Sequence, residues 1–403
     1  MPFGPIFRAM TRNRSRFFLI VAEVALTLAI VANCVSLIRA SKAELAKESG
    51  FDDANLLYVR SRPFAEAFRE DKYLQDAVEA DARTLRAMPG VRAATNTYFL
   101  PWQGGGSSTE VRRGDGRYRT QTYSGDLKFF DTLGVRLVEG RNFTQEEYET
   151  YSADDLPPGT VSPVVISQKL ADLVYPEGGA LGQVFDDSDG KPAFRVVGIF
   201  GPFYNPYGWP IGDYAVIYPS RTGSFNGTSF LVRSQPGQAE RLIPEIEKGL
   251  LAANNGRNVE VQAIPDIRQQ YDSRDRAVVF ALNAVMLLLV FVTALGIVGI
   301  TSFSVAERQR QIGTRRALGA SRGDILRHFL LENWMITSIG AALGLVLAYA
   351  LNFGLINLVE GAKLDAWMLA AGVGLLWATG LAAALGPALK AARIAPAIAT
   401  RNV

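Results

Sequence analysis

Four apolar stretches, each about the ~20 residues that a helix needs to cross a bilayer, divide this chain of 403 residues very unevenly. They lie at about 17–38, 277–303, 334–358 and 366–389. The long region between the first two, residues 39–276, is polar and contains no further apolar run of that length. The pattern predicts an α-helical membrane protein with four transmembrane helices and one large domain outside the bilayer.

Arginines mark one side of the membrane. Residues 1–16 contain four arginines and no acidic residue, and six more arginines lie in the segment 304–333 between the second and third spans. Because basic segments stay in the cytoplasm, we expect both termini there, including the tail 390–403. Residues 39–276 and the loop 359–365 then lie on the other side of the membrane. A cleaved signal peptide competes for the first apolar stretch, but its apolar region would be shorter, about 7–15 residues.

The segment between the second and third spans contains signals for two helices joined by a tight turn. The run that begins at Val278 continues without a helix breaker into Arg316, which predicts one helix that extends beyond the membrane. Gly319 can supply the left-handed turn at its end, and Ser321 with Asp324 has capping-box spacing for the next helix. An Arg-rich loop that only orients the protein would explain the charges but not the placement of these three residues.

This turn is the predicted contact for a partner protein. Arg308 and Arg315 are seven residues apart with Ile312 between them, so a continuous helix would present a basic ridge around an apolar side chain. Such a ridge suits a groove with acidic walls. The predicted site comprises Arg308, Gln311, Ile312, Arg315, Arg316, Ala317, Leu318, Gly319, Ala320 and Ser321. In the third span, Gly340 and Gly344 have the spacing that lets helix backbones approach closely.

Both ends of the 39–276 region continue as helix-forming sequence. A helix from Arg16 to Ser49 would measure about 50 Å at ~1.5 Å per residue, which exceeds the ~30 Å hydrocarbon core. Residues Ile267 to Ala277, before the second span, contain neither Gly nor Pro. These stretches predict two helical stalks.

A faint internal repeat indicates the fold of the large domain. YVRSRP at 58–63 is echoed by LVRSQP at 231–236, and each leads into an amphipathic helical pattern and a second strand. We therefore predict an α+β domain of two β-α-β units, at about 56–99 and 228–264, with a β-rich insertion at about 100–227. Pro244 fits this scheme if the second helix begins near Ile243. The predicted buried helix positions are Leu74, Ala77, Val78, Leu85 and Met88, then Leu242, Ile246 and Leu250.

The sequence contains few candidates for catalytic or metal-binding residues. One Cys and one His exclude a disulfide framework and a Cys/His zinc cluster. The imidazole, His328, falls beside the cytoplasmic membrane edge, which excludes a Ser-His-Asp triad in the large domain. No G-x-x-x-x-G-K-[ST] phosphate loop occurs, and the basic clusters flank spans, which argues against nucleic-acid binding. We expect neither a catalytic site nor a metal or cofactor in this chain.

Two stretches resemble a known family. ER-x-R-x-IG-x-RRALGAS at 307–321 is similar to the cytoplasmic signature of the MacB/FtsX-type permeases of ABC transporters, which usually have Glu where this chain has Gln311. The GR-x-F segment, Gly140, Arg141 and Phe143, with its neighbouring sequence, is similar to the extracytoplasmic core domain of MacB-like permeases.

The resemblance implies a permease subunit that works with a separate ATPase, because only sixteen residues precede the first span, where MacB carries a fused ATPase. The ATPase would bind ATP and Mg, and its motion would pass through the turn and the stalks to the large domain, a process called mechanotransmission. This domain would then export or release a substrate outside the inner membrane.

The expected partners are an ABC ATPase dimer, a second permease chain, identical or paralogous, and a membrane-fusion adaptor protein. The second chain is expected because four spans can scarcely enclose a pathway. The alternative is an FtsX-like transmembrane regulator that activates an extracytoplasmic hydrolase. Capture of an adaptor would favour transport, and capture of a hydrolase would favour regulation.

Overall fold

The structure is a computed structural model that divides into two compact units. We call residues 46–274 the α/β unit, and the residues before and after this range the helical unit. Residues 1–13 of the predicted N-terminal segment 1–16, residues 359–363 of the predicted loop 359–365 and residues 396–403 of the predicted tail 390–403 lie outside the described residues. The structure describes residues 14–99, 101–102, 107–151, 160–186, 190, 192–206, 211–220, 226–356 and 364–395.

Helices and strands alternate in the α/β unit, and long helices make up the helical unit. The helices are α1 (Arg14–Leu45), α2 (Asp71–Ala87), α3 (Phe129–Leu133), α4 (Gln145–Tyr151), α5 (Gln168–Val174), α6 (Ala239–Ala253), α7 (Ile264–Glu307), α8 (Gln309–Ala317), α9 (Arg322–Ile356) and α10 (Ala366–Ala392). The strands are β1 (Leu56–Pro63), β2 (Val91–Asn96), β3 (Ser107–Arg113), β4 (Gly116–Gly125), β5 (Leu137–Gly140), β6 (Ser162–Ser167), β7 (Val184–Asp186), β8 (Pro192–Phe200), β9 (Ala215–Pro219), β10 (Thr228–Ser234) and β11 (Arg257–Ala263).

Four of these helices, α1, α7, α9 and α10, are long and apolar enough to cross a membrane, which confirms the predicted number of spans. Helix α1 packs closely against α9. A Cβ built on Gly340 would lie only 2.8 Å from Val24 side-chain atoms. A Cβ on Gly344 would lie 2.9 Å from the carbonyl oxygen of Ala25. The two glycines therefore lie where backbones approach, as their spacing predicts.

Helix α7 contacts α1 through polar groups. The hydroxyls of Thr27 and Thr293 are 2.8 Å apart, and the Glu23 carboxylate oxygens lie against Gly296. Glu23 therefore faces another helix, which is the placement expected of a carboxylate within a span. Many apolar side chains of α7 are exposed in this single chain, among them Phe280, Val285, Leu287, Leu288, Phe291, Val292 and Leu295.

The α/β unit contains a four-stranded antiparallel sheet with the order β11-β1-β10-β2. The internal repeat predicts the two β-α-β units, β1-α2-β2 and β10-α6-β11, and the structure adds that their strands interleave in one sheet. Successive residues of a strand face opposite sides of a sheet, so Leu57 and Val59 pack on α2 and α6 while Leu56 and Tyr58 face away. The buried helix residues include Leu74, Val78, Leu85, Leu242, Ile246 and Leu250.

The insertion forms a second sheet and covers the other face of the first one. Its strands have the order β5-β8-β6-β9-β4-β3-β7, and β7 pairs with β8 as well as with β3. Six of its strands therefore close into a ring, with β5 added beside the second half of β8. An aromatic cluster lies between this insertion and the sheet, and it includes Phe51, Phe99, Trp102, Tyr123, Phe129, Phe130, Phe200 and Phe203.

Two predicted helix boundaries are wrong. Helix α1 ends at Leu45 and does not reach Ser49, because the Ser49 carbonyl accepts a hydrogen bond from the Tyr204 amide and Gly50 adopts φ +80°. Helix α6 begins at Ala239, so Pro244 lies inside it and not at its start.

Candidate coupling site

The connection between α7 and α9 contains a break that the sequence does not reveal. Helix α7 ends at Glu307, and Arg308 adopts φ −100° and ψ 16° before α8 begins. The prediction of one helix from Val278 to Arg316 is therefore wrong. The Arg308 guanidinium forms an ion pair with Glu332 of α9 at 3.2 Å, so the residue at the break is held by α9.

Ile312 does not form an exposed apolar knob. It is 4% exposed and packs in a cluster that contains Val305, Ile325 and Phe329, together with Ala388 of α10. Because this cluster joins four helices, the prediction of Ile312 as an apolar knob on the surface is wrong. Ile312 instead fixes α8 to the rest of the helical unit.

Leu318 is the exposed apolar side chain of this segment, at 84%. It is the C-cap residue of α8, and its amide donates to the Thr314 carbonyl at 3.0 Å. Burying a leucine side chain stabilises a contact by about 1.5–3 kcal/mol relative to leaving it exposed. Burial of Leu318 against a partner would therefore stabilise the complex.

The turn itself has the predicted geometry. Gly319 adopts φ +99°, and the Ala320 amide donates to the Arg315 carbonyl at 3.0 Å, which ends α8 in the left-handed conformation that glycine favours. The Ser321 amide donates to the Asp324 carboxylate at 3.0 Å, and the Asp324 amide donates to the Ser321 hydroxyl at 3.1 Å. These reciprocal bonds confirm the capping box at the start of α9.

Several arginines lie near Leu318 along the chain. Arg315 and Arg310 are exposed and Arg316 is half-buried, while Arg308 is held by Glu332. Arg308 is therefore not part of the predicted basic ridge, because its charge is paired with Glu332. The remaining residues of the predicted site, Gln311, Ala317, Gly319 and Ser321, are exposed, and Ala320 is half-buried. We call residues 309–322 the coupling turn.

Sequence reasoning missed Glu332 as the partner of Arg308 and Leu318 as the exposed apolar residue. Glu332 is 24 residues away along the chain, and no local spacing rule links the two. Leu318 had a usable signal, because it follows Ile312 by six residues and therefore lies about 120° around the helix from it.

The GR-x-F segment has a structural role in the α/β unit. Gly140 adopts φ +72°, and a Cβ there would lie 2.4 Å from the carbonyl oxygen of Val197. Arg141 binds Glu147 of α4 through two hydrogen bonds of 2.7 Å, which lowers the pKa of the Glu147 carboxyl below its ordinary value. Phe143 is buried beside Phe130. Within the described residues, no group of three or more His, Cys, Asp or Glu side chains could hold a metal ion.

Two sequence families match this chain. The family described as MacB-like periplasmic core domain matches residues 17–248, and the family described as FtsX-like permease C-terminal matches residues 283–396.

Curated relatives match over most of the chain. The macrolide export ATP-binding/permease protein MacB 1/2 of Paracoccus denitrificans (strain Pd 1222) is 26% identical over 401 residues, which cover 96% of this chain and 56% of that protein. MacB of Neisseria gonorrhoeae (strain ATCC 700825 / FA 1090) is 24% identical over 400 residues, which cover 96% of this chain and 59% of that protein. The chain therefore spans little more than half the length of these relatives.

A search of solved structures finds the periplasmic region of MacB from Actinobacillus actinomycetemcomitans. The match covers 56% of this chain and 97% of that structure, with 16% identity and a TM-score of 0.37.

Proposed function

The chain belongs to the MacB-like periplasmic core domain family, with an FtsX-like permease C-terminal region, and we propose that it is the permease subunit of an ABC transporter. A separate ATPase dimer binds ATP and Mg, and this chain has no catalytic role. ATP hydrolysis in the cytoplasm drives movement of the α/β unit, which exports or releases a substrate outside the inner membrane.

The observation that carries this proposal is the coupling turn. An exposed leucine, Leu318, follows a short arginine-rich helix that is held in place by buried Ile312 and by the Arg308–Glu332 ion pair. Exposed apolar side chains on a rigid support are suited to fill a pocket on a partner. The arginines suit acidic groups around such a pocket.

The exposed apolar side chains of α7 support a second permease chain beside this one. Phe280 and Leu287 are each more than 70% exposed in the single chain, and lipid or another apolar helix must cover such groups within a bilayer. We propose an identical or paralogous chain as the partner. A membrane-fusion adaptor protein is a further proposed partner of the α/β unit.

Co-purification with the ATPase tests the coupling turn. We expect the tagged wild-type chain to retain an ABC ATPase in mild detergent, and we expect Leu318→Asp and Arg315→Glu to lose it without a change in thermal stability. Leu173→Asp, at an exposed leucine of α5 in the α/β unit, is the matched control and should retain the ATPase.

Ile312→Asp distinguishes a residue that contacts the ATPase from one that only holds α8 in place. Because Ile312 is buried, placing a carboxylate there should lower the stability of the helical unit as well as ATPase binding. The proposal is wrong if the Leu318 and Arg315 variants both retain the ATPase. Recovery of an extracytoplasmic hydrolase with the wild-type chain, and of no adaptor, would favour a regulator.

A further inference from the structure

A short segment that follows α1 along the chain packs within the α/β unit. We call residues 47–53 the docking segment. A Cβ built on Gly50 would lie 1.8 Å from the carbonyl oxygen of Pro202, so the two backbones approach as closely as glycine allows. The Tyr204 amide donates to the Ser49 carbonyl at 2.9 Å, and the Lys47 ammonium lies 4.1 Å from the centroid of the Tyr204 ring.

Arg268, near the start of α7, joins the docking segment to that helix. Its Nη1 donates to Asp53 Oδ2 at 2.6 Å, and its Nη2 donates to the Lys47 carbonyl at 3.3 Å. The guanidinium also lies over the Trp102 ring, with Cζ 5.1 Å from the ring centroid. One side chain thus contacts both ends of the docking segment and an aromatic ring, a combination to which the planar guanidinium is suited.

Trp102 is held in an unusual backbone conformation beside Arg268. Among the described residues it is the non-glycine residue with positive φ, +60°, which is a strained conformation that persists where the surroundings enforce it. It is buried, packs against Phe51 with ring centroids 5.5 Å apart, and donates its amide to Asn205 Oδ1 at 3.3 Å. The arginine therefore rests on a fixed support.

We propose that Arg268 is a positioning residue that locks the docking segment to the first turns of α7. The α/β unit then receives the movements of α1 and α7 as one displacement. This inference rests on the proposed function, in which ATP hydrolysis moves the α/β unit, and it names the side chain that joins the two connections.

A neighbouring ion pair provides a matched control. Asp52 Oδ2 accepts hydrogen bonds from Arg233 Nη2 at 2.6 Å and Nε at 3.0 Å, so Asp52 fastens the docking segment to β10 and not to α7. The two carboxylates are similarly exposed, Asp52 at 28% and Asp53 at 25%. Asp52 accepts two hydrogen bonds from its arginine, and Asp53 accepts one. If these pairs only stabilise the fold, loss of the Asp52 pair should therefore lower stability and coupling at least as much as loss of the Asp53 pair.

The test uses the full chain with its co-purified ATPase in lipid nanodiscs. ATP hydrolysis and the change in amide hydrogen exchange across the α/β unit on adding ATP and Mg are measured together. We expect Arg268→Gln and Asp53→Asn to keep hydrolysing ATP but to lose the nucleotide-dependent change. Asp52→Asn should keep both. A double variant, Asp53→Cys with Arg268→Cys in a Cys34→Ser background, should regain the change when a short bis-maleimide joins the two cysteines.

The inference is overturned by a full nucleotide-dependent change in Arg268→Gln, or by no recovery in the cross-linked double variant. Equal loss of the nucleotide-dependent exchange change in Asp52→Asn and Asp53→Asn would also contradict it, because two pairs that only stabilise the fold would give that result. Absence of any nucleotide-dependent change in the wild-type complex would instead contradict the proposed function.

Discussion

At the scale of single residues, Glu147 both forms an ion pair with Arg141 and caps the start of α4. Its carboxylate binds Arg141 through two hydrogen bonds of 2.7 Å and accepts the Thr144 amide at 2.9 Å. The Glu147 amide donates to the Thr144 hydroxyl at 3.2 Å, so Thr144 and Glu147 form a capping box at the start of α4. Chiefly the hydrogen bonds from Arg141 lower the pKa of the Glu147 carboxyl.

This pKa shift predicts a pH dependence of stability. A carboxyl whose pKa is lower in the folded protein stabilises the fold above its unfolded pKa, and the contribution is lost as pH falls through the folded pKa. We expect Glu147→Gln to weaken the acid-induced fall in the melting temperature of the full chain in detergent. At pH 7 the variant should lose at most about 1 kcal/mol, because Arg141 is half exposed and such pairs are screened by solvent.

Glu149→Gln, on the same helix and bonded to Gln145, is the control and should keep the wild-type acid dependence. Glutamine at position 147 can still accept the Thr144 amide, so the comparison isolates the charge. Identical pH profiles of melting temperature for Glu147→Gln and the wild-type chain would contradict the assignment.

The sequence predicts the role of a residue where that role depends on near neighbours in the chain. It does not predict roles that depend on contacts between distant segments. Gly319, Ser321 and Asp324 act within a few residues of one another, so their spacing alone indicates the turn. Burial of Ile312 depends on Ile325, Phe329 and Ala388, which come from other helices. No pattern within α8 specifies those contacts.

At the scale of elements, the reversal between α8 and α9 depends on Gly319. Nothing lies within 4 Å of a Cβ built on it, so the cost of a side chain there comes from the positive φ of +99° and not from a clash. We expect loss of stability in the order Asn, Ala, Val: about 1–2 kcal/mol for Ala and more for β-branched Val. Thermal unfolding of the three variants in detergent measures this order.

ATPase co-purification should fall in the same order, because the strain displaces Leu318. Asparagine adopts the left-handed conformation more readily than other non-glycine residues and so serves as the mild control. Wild-type stability in Gly319→Val would show that the turn does not require glycine.

Element boundaries were predictable where periodicity or capping decides them. The two β-α-β units and the buried helix faces follow from apolar spacing. The end of α1 at Leu45 does not, because it depends on the docking of Ser49 and Gly50 against residues 202–204. Ring closure of the insertion depends on β7 pairing with both β3 and β8, which are distant in the sequence.

At the scale of the whole molecule, the arginine distribution predicts that the coupling turn lies in the cytoplasm and the α/β unit on the other side of the membrane. Cysteine at Ser107, an exposed residue of the α/β unit, should react with an impermeant thiol reagent in cells with an intact inner membrane. Cysteine at Ser321 in the coupling turn should react only after the membrane is permeabilised. Both are placed in a Cys34→Ser background. The reverse labelling pattern would invert the orientation.

The central claim is that ATP hydrolysed by a partner at the coupling turn moves the α/β unit. The most direct measurement is hydrogen exchange of the wild-type complex in nanodiscs, with and without ATP and Mg, and with Leu318→Asp as the uncoupled comparison. We predict that nucleotide alters exchange within residues 46–274 of the wild-type chain and leaves the variant unchanged. Exchange in that range that is the same with and without nucleotide, in a wild-type complex that hydrolyses ATP, would contradict the account.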